Sequence, residues 1–270
     1  MEVAPSPPLA GETSPVEIFS IGTELLIGRI QDTNSFWLAE QASALGAEIA
    51  RITIVGDDRA VIVGALREAV ARGARTVLTT GGLGPTPDDL TVECVAELAG
   101  VGTSVYRPAL EDYMRRRLIS EEELTPALYR MATVPDGCDV LLNPAGWAPC
   151  MRLRHEATTF FLMPGPPKEM QAVFDRYLRA YFGSGSAGHS LARRVYVNMH
   201  EGEVAPYARQ VMDAVPGTYI KGYIALSNQQ RLPLDVVVRG ADEAAAQANL
   251  ERAVSMLTEF VAGAGRQVTG

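Results

Sequence analysis

Three loops of this 270-residue chain carry residue types suited to holding a phosphate and a divalent cation. The first is Thr79-Thr80-Gly81-Gly82-Leu83-Gly84-Pro85-Thr86-Pro87-Asp88-Asp89-Leu90-Thr91, set between an apolar run and a helical pattern. Its glycines allow positive φ and a close backbone approach to a ligand. Consecutive amides in such a turn form an anion nest beside the positive end of a helix. The pattern is neither GxxxxGK[ST] nor GxGxxG, so the usual nucleotide fingerprints do not apply. As a plain turn, it would cap the next helix with Thr86 or Asp88. The second loop, Val55-Gly56-Asp57-Asp58, should open on the same sheet edge as Asp89. Two carboxylates near a nest suit Mg²⁺, which takes one or two carboxylates plus substrate phosphates and waters. In the simpler reading Asp57 or Asp58 caps the following helix. The third loop runs Gly22-Thr23-Glu24-Leu25-Leu26-Ile27-Gly28, followed by Asp32-Thr33-Asn34. Three such loops at one edge read together as a site.

The elements that must position them alternate. Short apolar runs at 16–21, 47–55 and 75–80 read as strands, and 33–45, 58–72 and 90–99 as helices. Residues Ile62, Leu66, Ala69 and Val70 give the second helix one apolar face. This alternation predicts parallel βαβ units with helices on both sheet faces, a three-layer α/β/α domain with a mostly parallel sheet. Ligands bind such sheets at the carboxyl ends of their strands, where all three loops lie. A charged, mostly helical stretch over 107–130 interrupts the pattern. Strands at 151–154 and 159–163 then lead through MPGPPKEM into a helix over 168–182. Its stripe of Met170, Val173, Phe174, Tyr177, Leu178 and Tyr181 reads as core packing. Residues 183–190 (GSGSAGHS) read as a linker. After it, 193–199, 203–214, 218–226, 232–239 and 242–261 predict a small α+β (βαββα) domain over 191–264. The domain expectations are therefore a disordered tail over 1–15, the site-bearing domain over 16–182, the linker, and the small domain.

Composition excludes several functions. The formal net charge is −8, from 24 Lys+Arg against 32 Asp+Glu, which argues against a nucleic-acid partner. No apolar run approaches the length of a membrane span, and the Pro-rich start lacks a secretory pattern. Cys94, Cys138 and Cys150 form no CxxC pair and read as free thiols of a cytoplasmic protein. With His155, His189 and His200 scattered as well, zinc, Cys–His and Ser–His chemistry are not expected. Gly185-Ser186-Ala187-Gly188 fits GxxG, but it lies before a strand and not between two helices, as KH recognition of RNA requires. Arg115 to Arg117 and Glu121 to Glu123 read as a solvated surface. Trp37 reads as a core residue of the first helix. Trp147 either stacks on a base or packs its own loop.

The segments IGTELLIGRIQDTN, VGDD, TTGGLGPTPDDLT, NPAGWAPC and MPGPPKEM resemble, in order, the CinA family, whose amino-terminal part is a MoaB/Mog-type (molybdopterin-binding-like) domain. The resemblance covers about 16–182 and continues more weakly into the small unit, which looks like the family's KH-like domain. It implies binding of a pyrophosphate-containing ligand and metal-dependent hydrolysis of a substrate such as ADP-ribose to AMP and ribose 5-phosphate. Related domains adenylylate molybdopterin or hydrolyse FAD. By this resemblance Gly81, Gly82 and Gly84 match phosphate-binding glycines, and Asp89 and Asp57 match the family's acids. Asn34 matches its helix Asn, Glu24 the acid of GTELL, and Pro164 and Gly165 its PG loop. The remaining candidates for substrate contact are Gly22, Thr23, Thr80, Leu83, Thr86 and Asp88, on the same loops.

Leu83 and Asp88 depart from the GGTG and Arg of molybdopterin transferases, which favours the CinA branch. Cys150 stands where the family commonly has Gly, so the local loop is expected to differ. The sequence runs no further than the small domain, so the family's carboxy-terminal amidase activity is not expected of these residues. Related domains form dimers or trimers, which implies a homo-oligomer.

The resulting expectation is a pyrophosphohydrolase in which Asp57 and Asp89 hold a divalent ion such as Mg²⁺ or Co²⁺ and the Gly81–Gly84 amides stabilise phosphoryl charge. Glu24 either positions water or makes a structural hydrogen bond. Lys168 either meets a phosphate or is a solvated surface residue. The competing class is a non-catalytic module that holds a pterin or nucleotide for a partner, which needs the glycines but not both acids.

Overall fold

A computed structural model describes residues 13–183, 189–227 and 231–270. The chain divides near residue 185 into two compact units. In the first unit β1 (Val16–Ile21), α1 (Asn34–Ala44), β2 (Ile49–Val55), α2 (Arg59–Ala71), β3 (Thr76–Thr80) and α3 (Thr91–Ala99) follow in turn. The alternation expected from the sequence is present. Next come β4 (Thr103–Val105), α4 (Arg107–Arg117), α5 (Pro126–Met131), β5 (Thr133–Pro135) and β6 (Asp139–Leu141). The unit closes with the hairpin β7 (Cys150–His155) and β8 (Thr158–Met163), then α6 (Pro167–Val173), a π-helical segment Phe174–Leu178, and α7 (Arg179–Gly183).

The six-stranded sheet has the order β2-β1-β3-β8-β7-β6. The β1–β2, β1–β3 and β3–β8 pairs are parallel, and β7 and β6 are added antiparallel. Helices cover both faces. Phe19, Ile21, Val77, Phe160 and Leu162 pack against Ile62, Leu66 and Val95 of α2 and α3. On the alternate face Ile18, Leu78 and Phe161 are buried, as are Leu38 of α1 and Phe174, with Phe161 edge-on to Tyr181. Trp37 packs edge-on against Phe174, its expected core role. β1 and β3 are buried along their whole length, as parallel strands covered on both faces must be.

Several local expectations are corrected. The stretch over 107–130 is mostly helical, as expected, two helices separated by a single 3-10 turn, but the β4–β5 ribbon that flanks it was not expected. These three-residue strands are too short for period-2 alternation to show. Thr13 to Pro15 are not a free tail. The Thr13 carbonyl accepts from Thr76 Oγ1 at 2.7 Å, and the Pro15 carbonyl from the Arg75 amide at 2.9 Å. Residues 1–12 lie outside the described residues. The stripe after MPGPP is core packing, as expected at Met170, Val173, Phe174, Leu178 and Tyr181, which are all buried. The π segment adds Phe182 to it, while Tyr177 stays half-buried with its hydroxyl donating to the Leu142 carbonyl.

The second unit contains β9 (His189–Val197), α8 (Glu201–Ala214), β10 (Thr218–Gly222), β11 (Leu232–Gly240), α9 (Glu243–Gly263) and β12 (Val268–Thr269). Its sheet is antiparallel, in the order β10-β11-β9-β12, and its core joins Val195, Val236 and Ile220 to Val211, Leu250 and Leu257. The expected βαββα pattern is present, with β12 added beside β9 beyond its expected end. β9 begins at His189, inside the expected linker, because Ser190 and His189 pair with Arg239 and Gly240. The rest of that linker, including the GxxG, falls at 184–188, outside the described residues. The strand expected over 218–226 stops at Gly222 and gives way to a 3-10 turn. His200 caps α8, its amide donating to Glu203.

One ion pair fixes the start of β1 against the end of α2. Glu17 is 3% exposed, and Arg72 donates to both of its oxygens at 2.9 and 2.8 Å. Removing the cation would leave a buried carboxylate uncompensated. Arg72→Ala is expected to cost about 2 kcal/mol or more, below the range for a fully buried pair because the Arg72 side chain is itself 34% exposed. Adding Glu17→Gln should recover part of that loss. Urea unfolding of the two variants checks this, and equal destabilisation by both would contradict it.

Candidate functional site

The carboxyl ends of β1, β2, β3 and β8 open into one cavity of about 550 Å³. All candidate site residues line it except Thr23 and Thr86. Those two hold the acids instead. The Thr23 amide donates to Asp57 Oδ2 at 2.7 Å, and the Asp57 amide donates back to Thr23 Oγ1 at 3.1 Å. This reciprocal clasp ties the end of β1 to the end of β2. Asp58, and not Asp57, caps α2, accepting from the Val61 amide at 3.0 Å. Asp57 is thereby released from the capping role.

The glycine turn is set by its surroundings. The Gly81 amide continues the β3–β8 ladder, donating to the Met163 carbonyl at 3.1 Å, so it is not part of the nest. Gly81 has φ +102°, and a Cβ there would lie 2.2 Å from the Ile21 carbonyl oxygen. At Gly82, with φ +68°, a Cβ would meet Thr91 Oγ1 at 2.2 Å. Thr91 in turn donates to the Gly81 carbonyl at 2.8 Å, and its amide to the Gly82 carbonyl at 3.1 Å. The start of α3 is thus fastened to the turn. Leu83 is buried in the core and anchors the loop, which accounts for an apolar residue within the motif. Among the described residues, nothing accepts from the amides of Gly82, Leu83 and Gly84.

The expectation that Thr86 or Asp88 caps α3 is not met, because the helix starts at Thr91 and its cap position is Leu90. The Thr86 amide instead donates to Asp89 Oδ2 at 2.7 Å, and the Asp89 carbonyl accepts from Arg130 at 2.6 Å. On the far side Asn34 donates to Thr80 Oγ1 at 2.9 Å and to the Gly165 carbonyl at 2.7 Å, while Thr80 donates to the Pro164 carbonyl. The PG loop is therefore held directly against the glycine turn. Glu24 is exposed and folds back over Gly22, where a Cβ would lie 2.5 Å from its carboxylate. The structural hydrogen bond considered for Glu24 is not found among the described residues. Lys168 is exposed and does not line the cavity.

Sequence reasoning missed one wall. Asn143, 4% exposed, accepts from the amides of Ala145 and Gly146 and donates to the Ala148 carbonyl and to Glu169 Oε2. Arg116 donates to the Gly146 carbonyl at 2.6 Å and lies over the Trp147 ring, 4.3 Å from its centroid. Arg117 lies over the same ring, and Tyr113 packs edge-on against it. Part of the expected solvated charge run therefore shapes the cavity loop. Trp147 both packs this loop and lines the cavity. Cys150 is fully buried at the start of β7 with no positive φ, so the loop accommodates it without a glycine. Burial raises its thiol far above the ordinary range, and pushes the Cys138 thiol to about 12. Glu169 lies within the motif MPGPPKEM, yet only its burial beside Gly146 shows that it lines the cavity.

Six carboxylates line the cavity, from Glu24, Asp32, Asp57, Asp88, Asp89 and Glu169, and no Lys, Arg or His among the described residues does. No three acidic, His or Cys side chains converge there as a ready-made metal cage among the described residues. The donors are all carboxylate oxygens, which suits a hard cation completed by ligand oxygens and water.

Two outcomes follow. Gly81→Ala is expected to destabilise the fold by about 2 kcal/mol or more, combining backbone strain with a clash against the Ile21 carbonyl. Urea unfolding measures it, and a loss within error of zero would refute the packing. For Glu169, burial raises the pKa and the hydrogen bond from Asn143 opposes the shift. The folded chain therefore holds this proton more tightly than the unfolded chain does. Its stabilisation is full below the unfolded value and is lost as pH rises through the folded one. Glu169→Gln should gain thermal stability relative to the parent as pH rises from 4 to 7, and a constant Tm difference would contradict this.

A family model described as "Probable molybdopterin binding domain" matches residues 17–183. A Pyrobaculum aerophilum protein known as Protein PAE0875 is 35% identical over 248 residues, covering 90% of this chain and 93% of its own. A CinA-like protein from Kosmotoga olearia is 35% identical over 214 residues, 72% of this chain and 51% of its own. The crystal structure of "the protein CinA with unknown function" from Thermoplasma acidophilum superposes with a TM-score of 0.57 at 31% identity. It covers 62% of this chain and 96% of its own. Among the described residues no helix is long and apolar enough to cross a membrane.

Proposed function

This chain belongs to the CinA family, with a molybdopterin-binding-type domain over residues 17–183, and from that premise we propose that it is a metal-dependent pyrophosphohydrolase acting on a nucleoside diphosphate-linked sugar such as ADP-ribose. The observation that carries this reading is the pairing of three unspent amides, Gly82 to Gly84, with Asp57 and Asp89 in one cavity. Amides alone would bind an anion. Carboxylates in the same wall would repel it unless a cation stands between them.

The cation would be held by Asp57 and Asp89, and when bound it neutralises diphosphate charge and polarises the phosphoryl oxygens. The chain supplies the rest. Thr23 and Thr86 fix the two aspartates by backbone donation, so neither side chain has to be ordered when substrate arrives. The Gly82–Gly84 amides take up negative charge on the phosphoryl oxygens as it grows. The exposed Glu24 carboxylate, which makes no hydrogen bond among the described residues, takes a proton from the attacking water. The water oxygen joins one phosphorus, the bridging P–O bond breaks, and AMP and ribose 5-phosphate leave.

The absence of a three-ligand metal cluster among the described residues favours a second reading, a module that binds a pterin or nucleotide without turning it over. Purified protein with ADP-ribose and Mg²⁺ or Co²⁺ separates the two by AMP release. Asp57→Asn and Asp89→Asn keep an oxygen for the Thr23 and Thr86 amides, so the fold should persist. Each should lower turnover by at least about 100-fold, the scale of losing charge stabilisation in the transition state, and chelation should abolish turnover. Metal-independent binding with no AMP release under any ion would establish the binding module instead.

A further inference from the structure

Two residues that line the cavity each carry a buried polar atom with no hydrogen-bond partner among the described residues: Asn34 Oδ1 and Ser20 Oγ. Ser20 is 0% exposed, and its register neighbour on β3 is Thr80, to which the Asn34 amide donates. The two atoms thus belong to one region of the wall, next to the glycine turn. The orientation of the Asn34 amide is fixed. Its Nδ2 faces the Gly165 carbonyl, which only accepts, so turning the amide over would set oxygen against oxygen. Both amide hydrogens are spent, on Gly165 and Thr80. The group that satisfies Oδ1 must therefore be a donor. A phosphate at neutral pH offers acceptors and does not answer it.

Unpaired buried groups are costly and few in folded proteins, so two in one cavity wall mark a place where a ligand completes the pairing. Connectivity narrows the ligand further. Thr80 immediately precedes the turn that would hold phosphate, and in a nucleotide or sugar phosphate the group bonded directly to phosphate is the sugar. We propose that Ser20 and Asn34 form a sugar-hydroxyl subsite. A ribose hydroxyl would donate to Asn34 Oδ1, and its neighbour would exchange a hydrogen bond with Ser20 Oγ. This deepens the diphosphate reading and rests on it only for the placement of the phosphates.

The test is calorimetric, on the full chain with Mg²⁺, using ADP, 2′,3′-dideoxy-ADP and inorganic pyrophosphate. The parent protein should bind ADP about tenfold or more tightly than the dideoxy analogue, the scale of leaving a buried partner unpaired. Ser20→Ala should shrink that ratio while leaving pyrophosphate affinity unchanged. Asn34→Asp offers an acceptor but no amide hydrogens, so it also reports on loop integrity. Ser20→Ala is small and internal, and its melting temperature controls for folding. Equal affinity for ADP and its dideoxy analogue overturns the subsite, even where pyrophosphate binds and ADP-ribose is hydrolysed. Hydroxyl discrimination without AMP release from ADP-ribose supports the subsite and removes the hydrolase reading. No binding by any of the three ligands overturns both.

Discussion

The fold of the first unit turns on how closely backbone meets backbone at Gly81. The Ile21 carbonyl occupies the space a side chain would need, and the Gly81 Cα lies 3.4 Å from where a Cβ on Gly165 would stand. Three strand ends, of β1, β3 and β8, thereby meet with no side chain between them. Thr80, Asn34 and Thr91 then donate to the Pro164, Gly165 and Gly81 carbonyls around this junction. Such contact is possible only because parallel strands in adjacent register deliver their ends at one level, and because glycine tolerates φ +102°. Everything that lines the cavity is displayed from this junction.

A second constraint is charge. Asp57 and Asp89 are held in place by backbone amides, and Asp89 also by the Thr86 hydroxyl, rather than by cationic side chains, so their charge is positioned without being cancelled. Ion pairs occur elsewhere in the chain, as at Arg72–Glu17 and Arg194–Asp235. The cavity is therefore electronegative by construction, and the unspent amides of the glycine turn are its counterweight. An anion enters such a place only in company with a cation, which links the two halves of the proposed chemistry physically.

The alternation of strands and helices was legible because the strands are short apolar runs and the helices between them are long enough to show a continuous apolar face. The three site loops were legible because their residue types are unusual at strand ends. What could not be read depends on distant partners. Nothing local to Asn143 reveals that it knots the 143–148 loop to Glu169, and nothing in Arg116 separates it from its exposed neighbour Arg115. The capping roles illustrate the same limit. Asp58 and Asp57 are equivalent in sequence, and the outcome depends on where Thr23 arrives from a different strand. Thr86 and Asp88 had the composition of caps, but the helix they precede begins later, because Thr91 is claimed by Gly81 and Gly82. Short pairings such as β4–β5 and β12 left no periodic signal at all.

The π-helical segment over Phe174–Leu178 has a consequence for how this helix reads across its relatives. An α-helix turns about 100° per residue, and a π turn absorbs one residue beyond that repeat. The first part of the helix aims Glu169 at the cavity wall, and the last part stacks Phe182 on Phe174 under the sheet. The extra residue lets both ends keep their own rotational phase. A homologue lacking it would have to rotate one end relative to the other, so a one-residue gap here would mark a rearranged wall even where every motif is retained.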